Sequence, residues 1–222
     1  ERRAEAEREH LERREALARR LRRADGSAVE LPPPPGSFHL FLSHVWSTGQ
    51  DQMRVIKQRL HEMIPEVRVF LDVDDLEEIG DLERYVEASA CVLVFGSNGY
   101  FASRNCMIEL RTAVRQGKPM IMLQELEVKH GGLTEEQIRQ QLLDADAYYG
   151  KWGFDGDGGP RGQALVDALF SEAPIEWNRL GAFQDVTMRL IAERLLPPDT
   201  GPTHVQGEVG WDEEGPNIAS SS

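Results

Sequence analysis

Cysteine is nearly missing from this chain: Cys91 and Cys106 are the only two in 222 residues. Cys91 opens an apolar run read as a strand, and Cys106 falls in the helix reached from that strand's far end. The strand alone separates them by roughly 15 Å, beyond disulfide reach. Unpaired thiols fit a reducing, cytoplasmic setting, and the plain reading of each, Cys91 above all, is a small buried apolar side chain. Long hydrophobic runs are absent too; none approaches the ~20 residues of a membrane span. The first residues, Glu1-Arg2-Arg3, contain no apolar h-region, so no secretory signal is expected there, and a start at Glu1 rather than Met points to a piece of a longer chain. There is no Walker sequence and no GxGxxG, and the His residues lack zinc-ligand spacing, so no metal site is expected. Asp155-Gly156-Asp157-Gly158-Gly159 opens like a calcium loop, but the twelfth position is Val166 where a Glu is needed, so a flexible turn is expected instead.

Positive charge is also scarce. Lys and Arg number 25 against 38 Asp and Glu, for a formal net charge of −13. Residues 1–25 hold nine Arg against six Glu and one Asp, a net of +2, which leaves −15 on the remainder. So acidic a body repels phosphate backbones, and nucleic-acid binding is not expected of it. What remains is a chain with 40% hydrophobic residues, long enough for one domain with a full core plus appendages.

Residues 1–25 read as a charged helix or linker, with a thin seam of Ala4, Leu11, Ala18 and Leu21 that Glu7 and Arg14 interrupt. Either the end of a coiled coil or a solvated helix fits. Residues 26–37 form a spacer around Pro32-Pro33-Pro34-Pro35-Gly36, placing a domain boundary near residue 36. Strand and helix patterns then alternate: strand 38–42, helix 50–63, strand 67–71, an acidic loop 72–80, helix 81–88, strand 91–95, helix 104–116 and strand 119–123. Gly117 stands where a helix ends. Residues 125–172 are too long for one crossover and are read as an insertion, with a helix opened by the capping box Thr134-Glu135-Glu136-Gln137, the loop 150–162, and a helix at 163–170. A short strand at 175–177 and a helix at 183–195 close a domain spanning 38–196. Residues 197–222, rich in Pro, Gly and Ser, are expected to be a disordered tail. This alternation implies an α/β fold, a three-layer sandwich around a mostly parallel sheet.

In such a sheet, ligands collect beyond the carboxyl ends of the strands where the winding reverses. For a flavodoxin-like order the first and third strands meet there, and here they end at Ser43-His44 and Gly96-Ser97-Asn98. Helix 104–116 begins beside that crevice. With Leu110 at the centre of its buried face, Glu109 lies ~100° to one side, on the flank and neither fully buried nor turned away. A carboxylate there could pair with ribose hydroxyls or oppose a developing cation; it could also be a solvated Glu or an ion-pair partner. Trp46 offers a stacking surface or simply packs on the domain. His44 could contact a phosphate or serve as a strand-end hydrogen bonder. Ser43 and Ser97 could donate to a substrate or cap local backbone.

Five segments then carry a resemblance. Phe41-Leu42-Ser43-His44, Val69-Phe70-Leu71-Asp72 with its loop to Gly80, Cys91 through Ser97, Ser103 through Leu110, and Gly117-Lys118-Pro119-Met120-Ile121 occur in an order that resembles a TIR (Toll/interleukin-1 receptor) domain. The resemblance covers about residues 38–123, with a looser continuation to about 195. It implies a flavodoxin-like five-stranded parallel sheet. Members of that family either signal by homotypic TIR–TIR assembly or cleave the nicotinamide–ribose bond of NAD+ with a glutamate on the helix after the third strand. Glu109, in Cys-x-x-Glu-Leu, occupies that position and resembles the enzymatic branch. The resemblance thus implies an NAD+ nucleosidase in signal transduction or defence, with Glu109 catalytic and Ser43, His44, Trp46, Ser97, Asn105 and Cys106 lining the site. NAD+ is then a substrate and no cofactor is implied; loop 72–80 corresponds to the segment through which neighbouring domains assemble. Asn105 stands where animal enzymatic members carry an aromatic. Two other functions stay open: a non-catalytic TIR scaffold, and an enzyme resembling nucleoside deoxyribosyltransferases, which share the sheet type and the carboxylate logic.

Overall fold

Runs that are apolar at nearly every position form the middle of the molecule, as expected of strands buried on both faces. The computed structural model describes residues 5, 8–10, 19–71 and 82–206. Its main sheet has five strands: β2 (Phe38–Ser43), β3 (Val69–Phe70), β4 (Ser89–Gly96), β5 (Met120–Glu125) and β6 (Ile175–Trp177). Every pairing among them is parallel, in the order β3-β2-β4-β5-β6. A shorter strand, β1 (Leu21–Arg23), precedes them. The chain winds from β2 to β3 in one direction and from β4 to β6 in the other, so the reversal lies between β2 and β4, as expected.

Side chains alternate across the sheet with the period of two that a strand imposes. Leu40, Leu42, Leu93 and Phe95 face one core, packed with Met53, Ile56 and Leu60 of α1 (Trp46–Met63). Phe41, Val92 and Val94 face the other, packed with Met107 and Leu110 of α3 (Arg104–Arg115) and Val86 of α2 (Leu82–Glu87). Helices thus cover both faces, giving the three-layer sandwich. Helix α3 ends in a Schellman turn: Lys118 N–H donates to Ala113 O at 2.9 Å and Gly117 N–H to Val114 O at 3.1 Å. Gly117 has φ +59°, the left-handed conformation that this turn needs and a side chain resists.

Between β5 and β6 the chain forms α4 (Glu135–Asp144), α5 (Tyr149–Trp152) and α6 (Gln163–Leu169), which pack into the core on the α3 side. Thr134 and Gln137 form the expected capping box. The segment Asp155–Gly159, expected to be a flexible turn, instead grips the side of α3. Asp157 accepts two hydrogen bonds from the Arg111 guanidinium, at 2.7 and 2.8 Å, and Pro160 O accepts from Arg111 Nε at 2.9 Å. The guanidinium also lies over the Phe154 ring at 4.3 Å and the Tyr149 ring at 5.0 Å, and Arg111 is only 2% exposed. A buried cation requires such partners, and the insertion supplies them.

The ends of the domain also differ from expectation. Glu5 and residues 8–10 are helical, but the helix does not reach residue 24. β1 instead pairs antiparallel with β7 (Thr203–Val205), Leu21 opposite Val205, within what was expected to be a disordered tail. Strands three residues long show no periodicity; these two form because Leu21 and Val205 both bury against the α1-side core. The Pro-rich spacer is tied down as well: the His39 ring bridges Pro32 O and Arg68 N–H, both at 2.9 Å. Residues ahead of the spacer therefore also pack on the sheet's core. Helix α7 (Gly181–Glu193) packs against β6 and β7. The acidic loop 72–80 and most of the N-terminal segment lie outside the described residues. Among the described residues no helix is long and apolar enough to cross a membrane.

Candidate active site

The carboxyl ends of β2 and β4 meet as the topology requires. Ser43, the last residue of β2, has its Oγ 2.5 Å from the Tyr100 hydroxyl, which belongs to a single 3-10 turn following β4. On the other side of the same junction, Thr48 Oγ1 in the first turn of α1 lies 2.7 Å from Ser97 Oγ. Helix α3 starts immediately beyond the turn. Its N-cap is Ser103, whose side chain accepts from Cys106 N–H, and this sets the register that carries Cys106 and Glu109 back over the end of β2.

Glu109 is 4% exposed, which corrects its expected place on a half-open flank. A helical wheel positions a residue relative to its own helix; it does not show that the end of β2 closes over this flank. Ser43 Oγ donates to Glu109 Oε2 at 2.5 Å. Cys106 Sγ donates to the His44 carbonyl at 3.3 Å, and Tyr100 OH lies 3.4 Å from the Cys106 carbonyl. Ser43, His44, Cys106, Tyr100 and Glu109 therefore form one buried knot joining β2, the turn after β4, and α3. Burial, with Cys106 and Glu109 close by adding to it, holds the Tyr100 hydroxyl well above the ordinary tyrosine range.

Of the expected site residues, Ser43, His44, Cys106 and Glu109 come together. The His44 ring is buried, with Nδ1 3.4 Å from Leu42 O, the place of a strand-end hydrogen bonder. Trp46 is 60% exposed and lines a different feature, a cleft of about 400 Å³ shared with Thr48, Lys129, His130 and Arg179. Ser97 is buried between the two regions, and Asn105 is exposed on the first turn of α3. Sequence reasoning missed Tyr100, whose only local signal is the glycine before it: Gly99 turns the chain with φ +90°. It also missed Glu125, wholly buried at the end of β5, whose carboxylate accepts from Arg179 at 2.6 and 3.0 Å and from Glu127 N–H at 2.8 Å. That pair joins the loops after β5 and β6 at the edge of the cleft. Among the described residues no group of three His, Cys, Asp or Glu is placed to hold a metal ion.

No family model matches the chain, and no curated protein matches it. Among solved structures it is similar to the TIR domains in the structure of the activated Roq1 resistosome directly recognizing the pathogen effector XopQ. The TM-score is 0.51 at 15% identity, over 72% of this chain and 100% of that one. The fold is TIR-like. At that identity the likeness concerns the path of the backbone, and it agrees with the strand order and the two helical layers described above. Within the TIR-like frame, Glu109 lies on the helix after the third strand of the main sheet in sequence order, β4, at the point where the winding reverses.

Proposed function

We propose that this TIR-like domain cleaves the N-glycosidic bond between nicotinamide and ribose in NAD+, with Glu109 as the catalytic carboxylate. The observation that carries the reading is a glutamate anchored by Ser43 at the junction of β2 and β4. Nicotinamide leaves as a neutral molecule and takes the bonding pair, so its departure needs no general acid. The ribosyl group left behind has oxocarbenium character, and a fixed carboxylate stabilises it as in glycosidases. Water then adds to the anomeric carbon and loses a proton, giving ADP-ribose; capture by the adenine of the same molecule gives a cyclic form. At 4% exposure Glu109 is closed to a nucleotide in this state, so turnover requires an opening of the junction, which self-association of several copies would favour. Buried thiols that form no disulfide suit a cytoplasmic protein of signalling or defence.

The test is NAD+ turnover by pure protein, dilute and clustered, with Glu109→Ala alongside. Loss of a charge-stabilising group of this kind costs ~100- to 1,000-fold in kcat. Equal turnover by both proteins removes Glu109 from the mechanism, and no turnover even by clustered wild type removes the enzyme.

A second reading, a scaffold acting through TIR–TIR association, is favoured by a separate observation. Leu180, Phe183, Val186 and Leu190 are exposed along α7, beside a groove of about 450 Å³ against the edge strand β6. Concentration-dependent assembly that Phe183→Asp abolishes, without NAD+ turnover at any concentration, would select it.

A further inference from the structure

Three polar groups, Ser43, Tyr100 and Glu109, are buried together where three apolar ones would pack at less cost. With Glu109 ionised, as the proposed chemistry requires, their protons can be assigned. A carboxylate only accepts, so at the 2.5 Å contact with Glu109 Oε2 Ser43 is the donor. A serine hydroxyl carries a single proton, so at its 2.5 Å contact with Tyr100 it must accept. The phenol therefore donates to the serine and the serine to the carboxylate. Each link polarises the next, and a donor directed at a carboxylate favours its ionised form.

We propose that Tyr100 and Ser43 are positioning residues for Glu109, a two-hydroxyl relay that fixes the orientation and charge of its carboxylate at the junction of β2 and β4. This rests on the reading of Glu109 as the catalytic carboxylate, and it moves Ser43 from the substrate's binding shell to the carboxylate's support. With Glu109 ionised the relay runs in this direction, since the fully buried Tyr100 hydroxyl keeps its proton throughout the working pH range; Cys106 O, 3.4 Å away, is the phenol's other acceptor. Its ring is held edge-on against Phe101, with centroids 5.0 Å apart, so the phenol has little freedom to leave Ser43. Among the described residues, the ionisable side chains in the knot with the carboxylate are Tyr100 and Cys106, with His44 next to Ser43 in the chain.

The experiment follows the carboxyl carbon of Glu109 by 13C NMR through a pH titration, assigned with Glu109→Gln, in wild type, Tyr100→Phe and Ser43→Ala. Tyr100→Phe keeps the ring and removes only the phenol. The relay predicts a higher titration midpoint in both variants. For NAD+ cleavage it predicts a fall in kcat of about threefold to tenfold in Tyr100→Phe with KM within twofold, and a larger fall in Ser43→Ala. It also predicts that Tyr100→Phe adds nothing in the Ser43→Ala background, because the phenol then no longer reaches the carboxylate through a hydroxyl. An unchanged Glu109 midpoint in either folded variant overturns the relay, as do losses that multiply in the double variant. Should wild type lack NAD+ turnover, the catalytic reading falls, and the NMR midpoints alone decide the relay.

Discussion

Leu21→Ala separates two accounts of the N-terminal segment, because they predict opposite signs. In a solvated charged helix, alanine is the better helix former, and the substitution would be neutral or slightly stabilising. In the structure Leu21 belongs to β1, pairs across to Val205, and is 2% exposed against the core that Leu40, Met53 and Met188 also line. Truncating a leucine in such a place costs ~2–5 kcal/mol from lost burial plus the cavity left behind. The lower half of that range is expected here, since a two-stranded ribbon at the edge of a core can partly collapse into the space. For a folded body of this size, ~2–3.5 kcal/mol lowers Tm by roughly 4–14 °C. Calorimetry or urea unfolding of Leu21→Ala, Val205→Ala and the double variant reads it directly. The cross-strand contact adds a second signature: the two losses should fall short of additivity by ~0.5–1 kcal/mol. A Leu21→Ala protein as stable as wild type would refute the strand assignment and restore the surface helix.

Two further outcomes are expected. His39 holds the spacer to the sheet with a neutral ring, donating from Nε2 to Pro32 O and accepting at Nδ1 from Arg68 N–H. Burial, the strongest influence on the ring and opposed by the bond to Pro32, lowers its pKa from 6.5. The neutral ring therefore stabilises the fold above pH 6.5, and that contribution is lost as pH falls below it. Thermal melts between pH 7.5 and 5 should show this drop, and His39→Gln should flatten it; parallel curves for the two proteins would exclude the role. Arg111→Met keeps a long side chain between α3 and the segment 153–162 but removes every donor to Asp157 and Pro160. Hydrogen exchange in residues 153–162 should quicken while α3 keeps its protection, and unchanged exchange there would mean that the ion pair does not hold the loop.

Much of the architecture could be read from local pattern. Buried parallel strands declare themselves as short apolar runs, and α1 by Met53, Ile56, Leu60 and Met63 at helical spacing. Gly117 marks the end of α3, and Thr134 with Gln137 the start of α4, because each motif closes within one helical turn. The alternation of elements gave a mostly parallel sheet, and the flavodoxin-like order that the resemblance implies gave the expectation that the loops after β2 and β4 meet. Glu109 could be named as the carboxylate on the helix at that meeting point. Its burial could not, nor could the identity of Tyr100 as Ser43's partner, because both depend on how closely α3 settles over the end of β2.

The amino-acid sequence alone therefore determined the repeating elements, their order and the acid beside the crevice, since each is encoded within about ten neighbouring residues. Tertiary structure decided what depends on partners far along the chain: Leu21 against Val205, Arg111 against Asp157, and Ser43 between Tyr100 and Glu109. These contacts are short-ranged in space and long-ranged in sequence. A single residue's chemistry makes each one possible, and only the packed fold brings it within bonding distance.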